Sequence, residues 1–149
     1  MYLVSKTFSF CAAHMLVTSY TEQAQKVHGH NYSVDVVFES SELNQDGMVV
    51  DFGKIKDIIN PIIDDWDHKM ILLEGTAAEK DHSKVFLPVN PTAENMARIL
   101  YLKIEEQILC NFGGNSDTRE RSSAGYPRIL RLRAVRVSET NSAWAEYTK

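Results

Sequence analysis

Alternation between apolar and polar positions dominates the first forty residues. Phe8, Phe10, Ala12 and His14 share one parity, and after a polar interval His28, His30, Tyr32, Val34, Val36 and Phe38 share another. Residues two apart leave the same face of an extended strand. Met1 to His14 and His30 to Glu39 are therefore expected to be strands, joined by the polar link Thr18 to Lys26 and paired antiparallel. Asn44 to Gly47 makes a turn. The period then becomes helical: Asp51 is a suitable N-cap for a helix carrying Phe52, Ile55, Ile58, Ile59, Ile62 and Ile63 on one stripe. Pro61 lies inside that helix and is expected to kink or divide it, since proline removes a donor and clashes with the preceding turn.

Residues 74–90 keep no period and are expected to form a surface connection, with one short extended piece around Val85 to Leu87. Asn90-Pro91 should start the longest helix, with Asn90 as cap, proline at the first helical position and Glu94 near the positive end of the dipole. Met96, Leu100, Ile104 and Ile108 follow at four-residue steps, the pattern of a helix packed on a sheet. Asn111 to Pro127, polar and containing Gly113, Gly114 and Gly125, is expected to be a mobile loop. Strand character returns from Arg128 to Glu139, and Ser142 to Thr148 forms a final strand after the Thr140-Asn141 turn. Leu130, Leu132 and Ala134 define one face there, but Val135, Val137 and Glu139 define the other. A β-bulge near Ala134 would restore a single core face. The expectation is one α+β domain spanning 1–149, an antiparallel four-stranded sheet with two helices on one face in the order ββααββ.

Composition narrows the class without deciding the function. The 149 residues are 44% hydrophobic and 24% charged, ordinary values for a globular chain. Sixteen basic against twenty acidic residues give a net charge of −4 with no long basic face, which argues against nucleic acid as principal partner. No apolar run is long enough to cross a bilayer and the N-terminus alternates, so no membrane role and a cytoplasmic location are expected. Cys11 and Cys110 lie far apart and give no basis for a disulfide framework.

The chemistry lies in the histidines. His28 and His30 leave one strand face together, His14 ends the buried face of the neighbouring strand, and the three suit a single metal ion. Three neutral nitrogens leave a fourth tetrahedral position for water or substrate, the arrangement of catalytic rather than structural zinc. A core histidine bonded to a backbone carbonyl would account for one such residue, and less easily for three.

Phe10-Cys11-Ala12-Ala13-His14, His28-Gly29-His30-Asn31-Tyr32, Gly47-Met48-Val49-Val50-Asp51-Phe52, Asp67-His68, Pro91-Thr92-Ala93-Glu94-Asn95 and Val137-Ser138-Glu139-Thr140 occur in that order along the chain. In these blocks it resembles the 6-pyruvoyltetrahydropterin synthase and 6-carboxytetrahydropterin synthase family of zinc enzymes. The resemblance implies a tunnelling fold (T-fold), whose subunits join their sheets into a barrel and assemble as two stacked trimers with active sites between neighbours. It implies Zn2+ held by His14, His28 and His30, the pterin anchored by Glu139, and proton transfer by Asp67 and His68. The implied substrate is 7,8-dihydroneopterin triphosphate, in queuosine or tetrahydrobiopterin biosynthesis.

One departure stands out. Many family members carry a base cysteine shortly before the His-Gly-His segment, and here Thr21 to Val27 contains none. Ala24 and Glu22 occupy the positions where bacterial and animal relatives place it, and Gln25 occupies the position of a glutamate used by relatives linked to folate synthesis. Glu22 is the candidate base, a carboxylate whose loop would fold towards the metal. Cys11 is a poor substitute, nominally on the opposite strand face from His14. Side-chain cleavage to 6-hydroxymethyldihydropterin, non-catalytic pterin binding and a purely structural zinc remain alternatives.

Overall fold

The computed structural model describes residues 1–19, 21–76, 82–112 and 130–149. Both alternating segments are strands, β1 (Tyr2–His14) and β2 (His28–Ser40), in antiparallel register throughout. Their even-numbered side chains form the core: Phe8, Phe10, Ala12, Tyr32, Val34, Val36 and Phe38 are all buried. The odd positions Ser5, Thr7, Ser9 and Cys11 stay exposed on the other face. Gly29 is required by the close approach of these strands, because a Cβ there would stand 3.3 Å from the Ala12 carbonyl oxygen.

Between β1 and β2 lies a single helical turn, α1 (Glu22–Gln25), capped by the Thr21 hydroxyl, which accepts from the Ala24 amide. The first long helix is α2 (Phe52–Asp64), with the Asp51 carboxylate accepting from the amides of Gly53 and Lys54. Pro61 lies inside it without dividing it, so of the two expected effects, a kink or a break, the break is absent. The proline lies in the last turn, and its carbonyl accepts from the Asp65 amide.

The sheet departs from the expected four strands. Among the described residues it has six, in the order β4-β3-β1-β2-β5-β6, where β3 is Lys69–Leu73, β4 is Lys84–Leu87, β5 is Arg131–Thr140 and β6 is Ala143–Tyr147. It is mixed rather than purely antiparallel, since β3 runs parallel to both β1 and β4. Lys69-Met70-Ile71-Leu72-Leu73 shows no alternation because a parallel strand is covered on both sides, and Ile71 and Leu72 are both buried. β4 coincides with the extended piece expected around Val85.

The longest helix, α3 (Ala93–Phe112), starts later than expected and runs past Asn111. Thr92 rather than Asn90 caps it, its hydroxyl accepting from the Asn95 amide. Helices α2 and α3 pack against the buried side of the sheet, and Ile55, Ile59, Met96, Leu100 and Ile104 meet the strand residues in one core. The β-bulge is present: Val37 pairs with Ala134 but Phe38 pairs with Leu132, so Arg133 is the extra residue. Most of the expected loop from Asn111 to Pro127 lies outside the described residues. The observed order is therefore βαβαββαββ, with α1 added to the two helices anticipated.

Candidate metal centre

The register of β1 and β2 brings the histidines together. His14 is the direct cross-strand partner of His28, while His30 faces Ala12, whose small side chain leaves room beside it. One ring nitrogen from each of His14, His28 and His30 lies within 4.8 Å of the others. Among the described residues this is the group of metal-binding side chains close enough to share an ion.

Hydrogen bonds settle which nitrogens face inward. His14 Nδ1 lies 2.8 Å from the Pro91 carbonyl oxygen, and His28 Nδ1 lies 2.8 Å from that of Lys26. A carbonyl only accepts, so in each ring Nδ1 carries the hydrogen and Nε2 presents a lone pair. These two Nε2 atoms are 3.0 Å apart. In neutral rings that opposes two lone pairs, an arrangement relieved by a cation between them. The Nε2 of His30 is buried without a partner, and such an atom costs roughly 1–3 kcal/mol when nothing satisfies it. Burial also pushes the His14 pKa below its ordinary 6.5, outweighing the Pro91 hydrogen bond and the charge of Glu139, and so favours the neutral form that binds metal. Three nitrogens on one tetrahedral zinc would lie roughly 3.3 Å apart, so small ring movements suffice. The donor set fits zinc, with carbonyls as the outer shell.

Glu139 borders the cluster, its Oε1 3.9 Å from His14 Nε2. A second register shift accounts for its direction: Ser138 pairs with Trp144 and Thr140 with Ala143, leaving Glu139 as the extra residue of β5. Tyr32 stacks on Phe10 at 4.8 Å between ring centroids and meets the rings of His14 and His30 edge-on. Burial, and then the charge of Glu139, raise its phenol pKa, which keeps the hydroxyl protonated.

Asp67 and His68 form a separate pair. Asp67 Oδ1 accepts from the Cys11 amide at 2.8 Å, its Oδ2 lies 2.8 Å from His68 Nδ1, and the His68 amide donates to the Cys11 carbonyl at 2.7 Å. These bonds hold His68 at φ 57°, a left-handed conformation uncommon outside glycine. The Cys11 amide, followed by His68, depresses the Asp67 pKa. His68 is 80% exposed and lines a cavity of about 600 Å3 together with Cys11, Ala13, His30, Asn31 and Lys69. Glu22, at the start of α1, is exposed and is not part of the histidine cluster. The structure thus unites His14, His28, His30 and Glu139, places His68 on a cavity that His30 also lines, and leaves Glu22 outside the cluster. The roles of the Pro91 and Lys26 carbonyls had no sequence signal, because any residue type carries a carbonyl.

The family model described as 6-pyruvoyl tetrahydropterin synthase matches residues 3–149. A 6-carboxy-5,6,7,8-tetrahydropterin synthase of Haemophilus influenzae is 36% identical over 124 residues, covering 72% of this chain and 86% of its own. That of Rickettsia bellii is 35% identical over 109 residues, covering 68% and 77%. Among solved structures, the Plasmodium vivax 6-pyruvoyl tetrahydropterin synthase superposes with TM-score 0.73 at 19% identity, covering 100% of this chain and 99% of that one. A variant of that enzyme with alanine for a catalytic glutamate matches with the same score. The fold is the T-fold of these synthases. On the family match and the bacterial relatives together, the chain belongs to the 6-pyruvoyl tetrahydropterin synthase family.

Proposed function

We propose that this tetrahydropterin synthase-like protein is a zinc-dependent lyase acting on 7,8-dihydroneopterin triphosphate or a close relative, to give a 6-pyruvoyl- or 6-carboxytetrahydropterin. The carrying observation is the convergence of His14, His28 and His30 with two Nδ1 atoms tied to carbonyls and an unpartnered Nε2 on His30. The bacterial relatives, named 6-carboxy-5,6,7,8-tetrahydropterin synthases, support the reaction class. Zinc held there would act as a Lewis acid, making protons beside the substrate's side-chain oxygens easier to remove.

The chain's own groups supply the rest. Glu139, beside His14, would accept two hydrogen bonds from the ring N–H and exocyclic amine of a pterin. His68 would donate and accept protons near neutral pH, with Asp67 orienting its Nδ1. Glu22 would take the substrate proton in place of the missing cysteine, a role made plausible chemically by the catalytic glutamate of the Plasmodium vivax enzyme. Glu22 is not part of the histidine cluster within one chain, and an assembly of trimers or hexamers in which neighbouring copies complete each site belongs to the same reading. A cytoplasmic location and a single catalytic domain over residues 1–149 belong to the same proposal.

The test is incubation of purified protein with 7,8-dihydroneopterin triphosphate, with and without zinc, and identification of products by mass. A zinc-dependent 6-pyruvoyl or 6-carboxy product is expected, whereas 6-hydroxymethyldihydropterin would assign the side-chain-cleaving reaction instead. Glu22→Gln should lower turnover by roughly 100-fold or more with zinc content intact. Wild-type turnover in that variant would remove Glu22 from the mechanism.

A further inference from the structure

Just beyond the histidine cluster, residues 90–92 lead into α3 and bond both to that helix and to the segment after β1. The Asn90 side chain spans the gap to the segment that follows His14: Oδ1 accepts from the Val17 amide at 3.0 Å and Nδ2 donates to the Thr18 hydroxyl at 3.1 Å. The Asn90 carbonyl accepts in turn from Asn95 Nδ2 at 2.9 Å and from the Thr92 amide at 2.8 Å. The next carbonyl, that of buried Pro91, receives the His14 Nδ1 hydrogen. The segment so gripped is also the near side of the loop carrying Glu22, where the Leu16 amide donates to the Ala24 carbonyl and Gln25 Nε2 to the Ser19 carbonyl, each at 3.0 Å.

We propose that Asn90 is a positioning residue that couples the metal centre to the loop carrying Glu22, by locking the chain after His14 to the turn whose carbonyl orients the His14 ring. The proposal rests on the metal reading above and adds to it a specific outer partner. Partners that fix a ligand's tautomer and ring plane typically change metal affinity by 10–100-fold when removed. Coupling is reciprocal. Zinc binding should therefore also slow exchange of the Val17 amide, whose hydrogen goes to Asn90 Oδ1.

The experiment compares full-length wild type with Asn90→Ala, using a zinc titration against a chromophoric chelator, the visible spectrum of the Co2+ form and hydrogen exchange of Val17 by NMR. Asn90→Ala is expected to weaken zinc binding about 10-fold or more, alter the Co2+ spectrum and abolish the zinc-dependent protection of Val17. Asn90→Asp, which keeps the acceptor for the Val17 amide, should restore that protection. Should Asn90→Ala fail to fold, Thr18→Val decides, since it removes only the Nδ2 partner at an exposed position. A several-fold weaker zinc affinity is expected there. Wild-type zinc affinity in Asn90→Ala, or in Thr18→Val if that variant is needed, overturns the proposal. A wild-type protein that binds no zinc removes the metal reading as well, which tells the two failures apart.

Discussion

The histidine cluster and the Asp67–His68 pair flank the same end of β1, yet they are built by different physics. His14, His28 and His30 hang from paired strands on the side that α2 and α3 cover, and His14 is only 2% exposed. Asp67 and His68 stand at a turn before β3, held by the backbone of Cys11, with His68 open to solvent. A sheet fixes ligands rigidly, which suits a metal that tolerates little misplacement. A turn exposes a proton-transfer group, which suits a partner that arrives from outside. On the proposed reading, the division gives the metal to side chains fixed by paired strands and proton transfer to a pair that solvent can reach.

His30→Ala probes the rigid half and should have the largest effect: zinc content falls to near zero and turnover drops roughly 1000-fold or more, the several kcal/mol a Lewis acid supplies. Zinc retained at wild-type stoichiometry would contradict the shared-ion geometry. Asp67→Asn probes the turn and should cut turnover by roughly 100-fold with zinc content unchanged; a loss of metal in this variant would erase the distinction between the halves. The acid stability of the two proteins sharpens the point. Asp67 ionises below its ordinary value of 3.8 in the fold, so its contribution is present above that pH and is lost as pH falls through the depressed value. Chemical denaturation below about pH 4 should show the wild type losing stability more steeply than Asp67→Asn.

His14 gives a smaller effect on the buried side. Burial holds its pKa below 6.5, so on acidification the unfolded chain takes up a proton that the buried ring resists. Stability from the neutral ring is complete above pH 6.5 and is lost as pH falls through the folded value, so the metal-free protein should unfold more readily on mild acidification and zinc should oppose the change. Equal stability of metal-free protein at pH 5 and 7 would count against a neutral buried His14. Away from both halves, Tyr101 donates from its hydroxyl to the Leu132 carbonyl at 2.9 Å. Tyr101→Phe should cost about 1 kcal/mol by denaturant titration and leave turnover unchanged.

The same contrast explains what could be read from the chain. Alternation in β1 and β2 carries histidine at the adjoining ends of both strands, so the core face and the convergence of the histidines follow from parity. The slip of phase between Ala134 and Val135 likewise announced the bulge at Arg133. Strand β3 left no alternating trace because it is parallel and covered on both faces. Asn90 reads as a helix cap from its neighbours, whereas its side chain reaches Val17 and Thr18, more than seventy residues earlier in the chain, and no local pattern encodes such a partner. The Asp67–His68 geometry depends on backbone groups of Cys11, which are silent in any side-chain pattern.

Anomalous diffraction at the zinc edge from crystals of the purified protein tests the central claim most directly. One zinc peak is predicted at about 2.0–2.1 Å from Nε2 of His14, His28 and His30, with no fourth protein ligand. The rings turned apart with no peak among them, or a peak closed off by a fourth side chain, would contradict it.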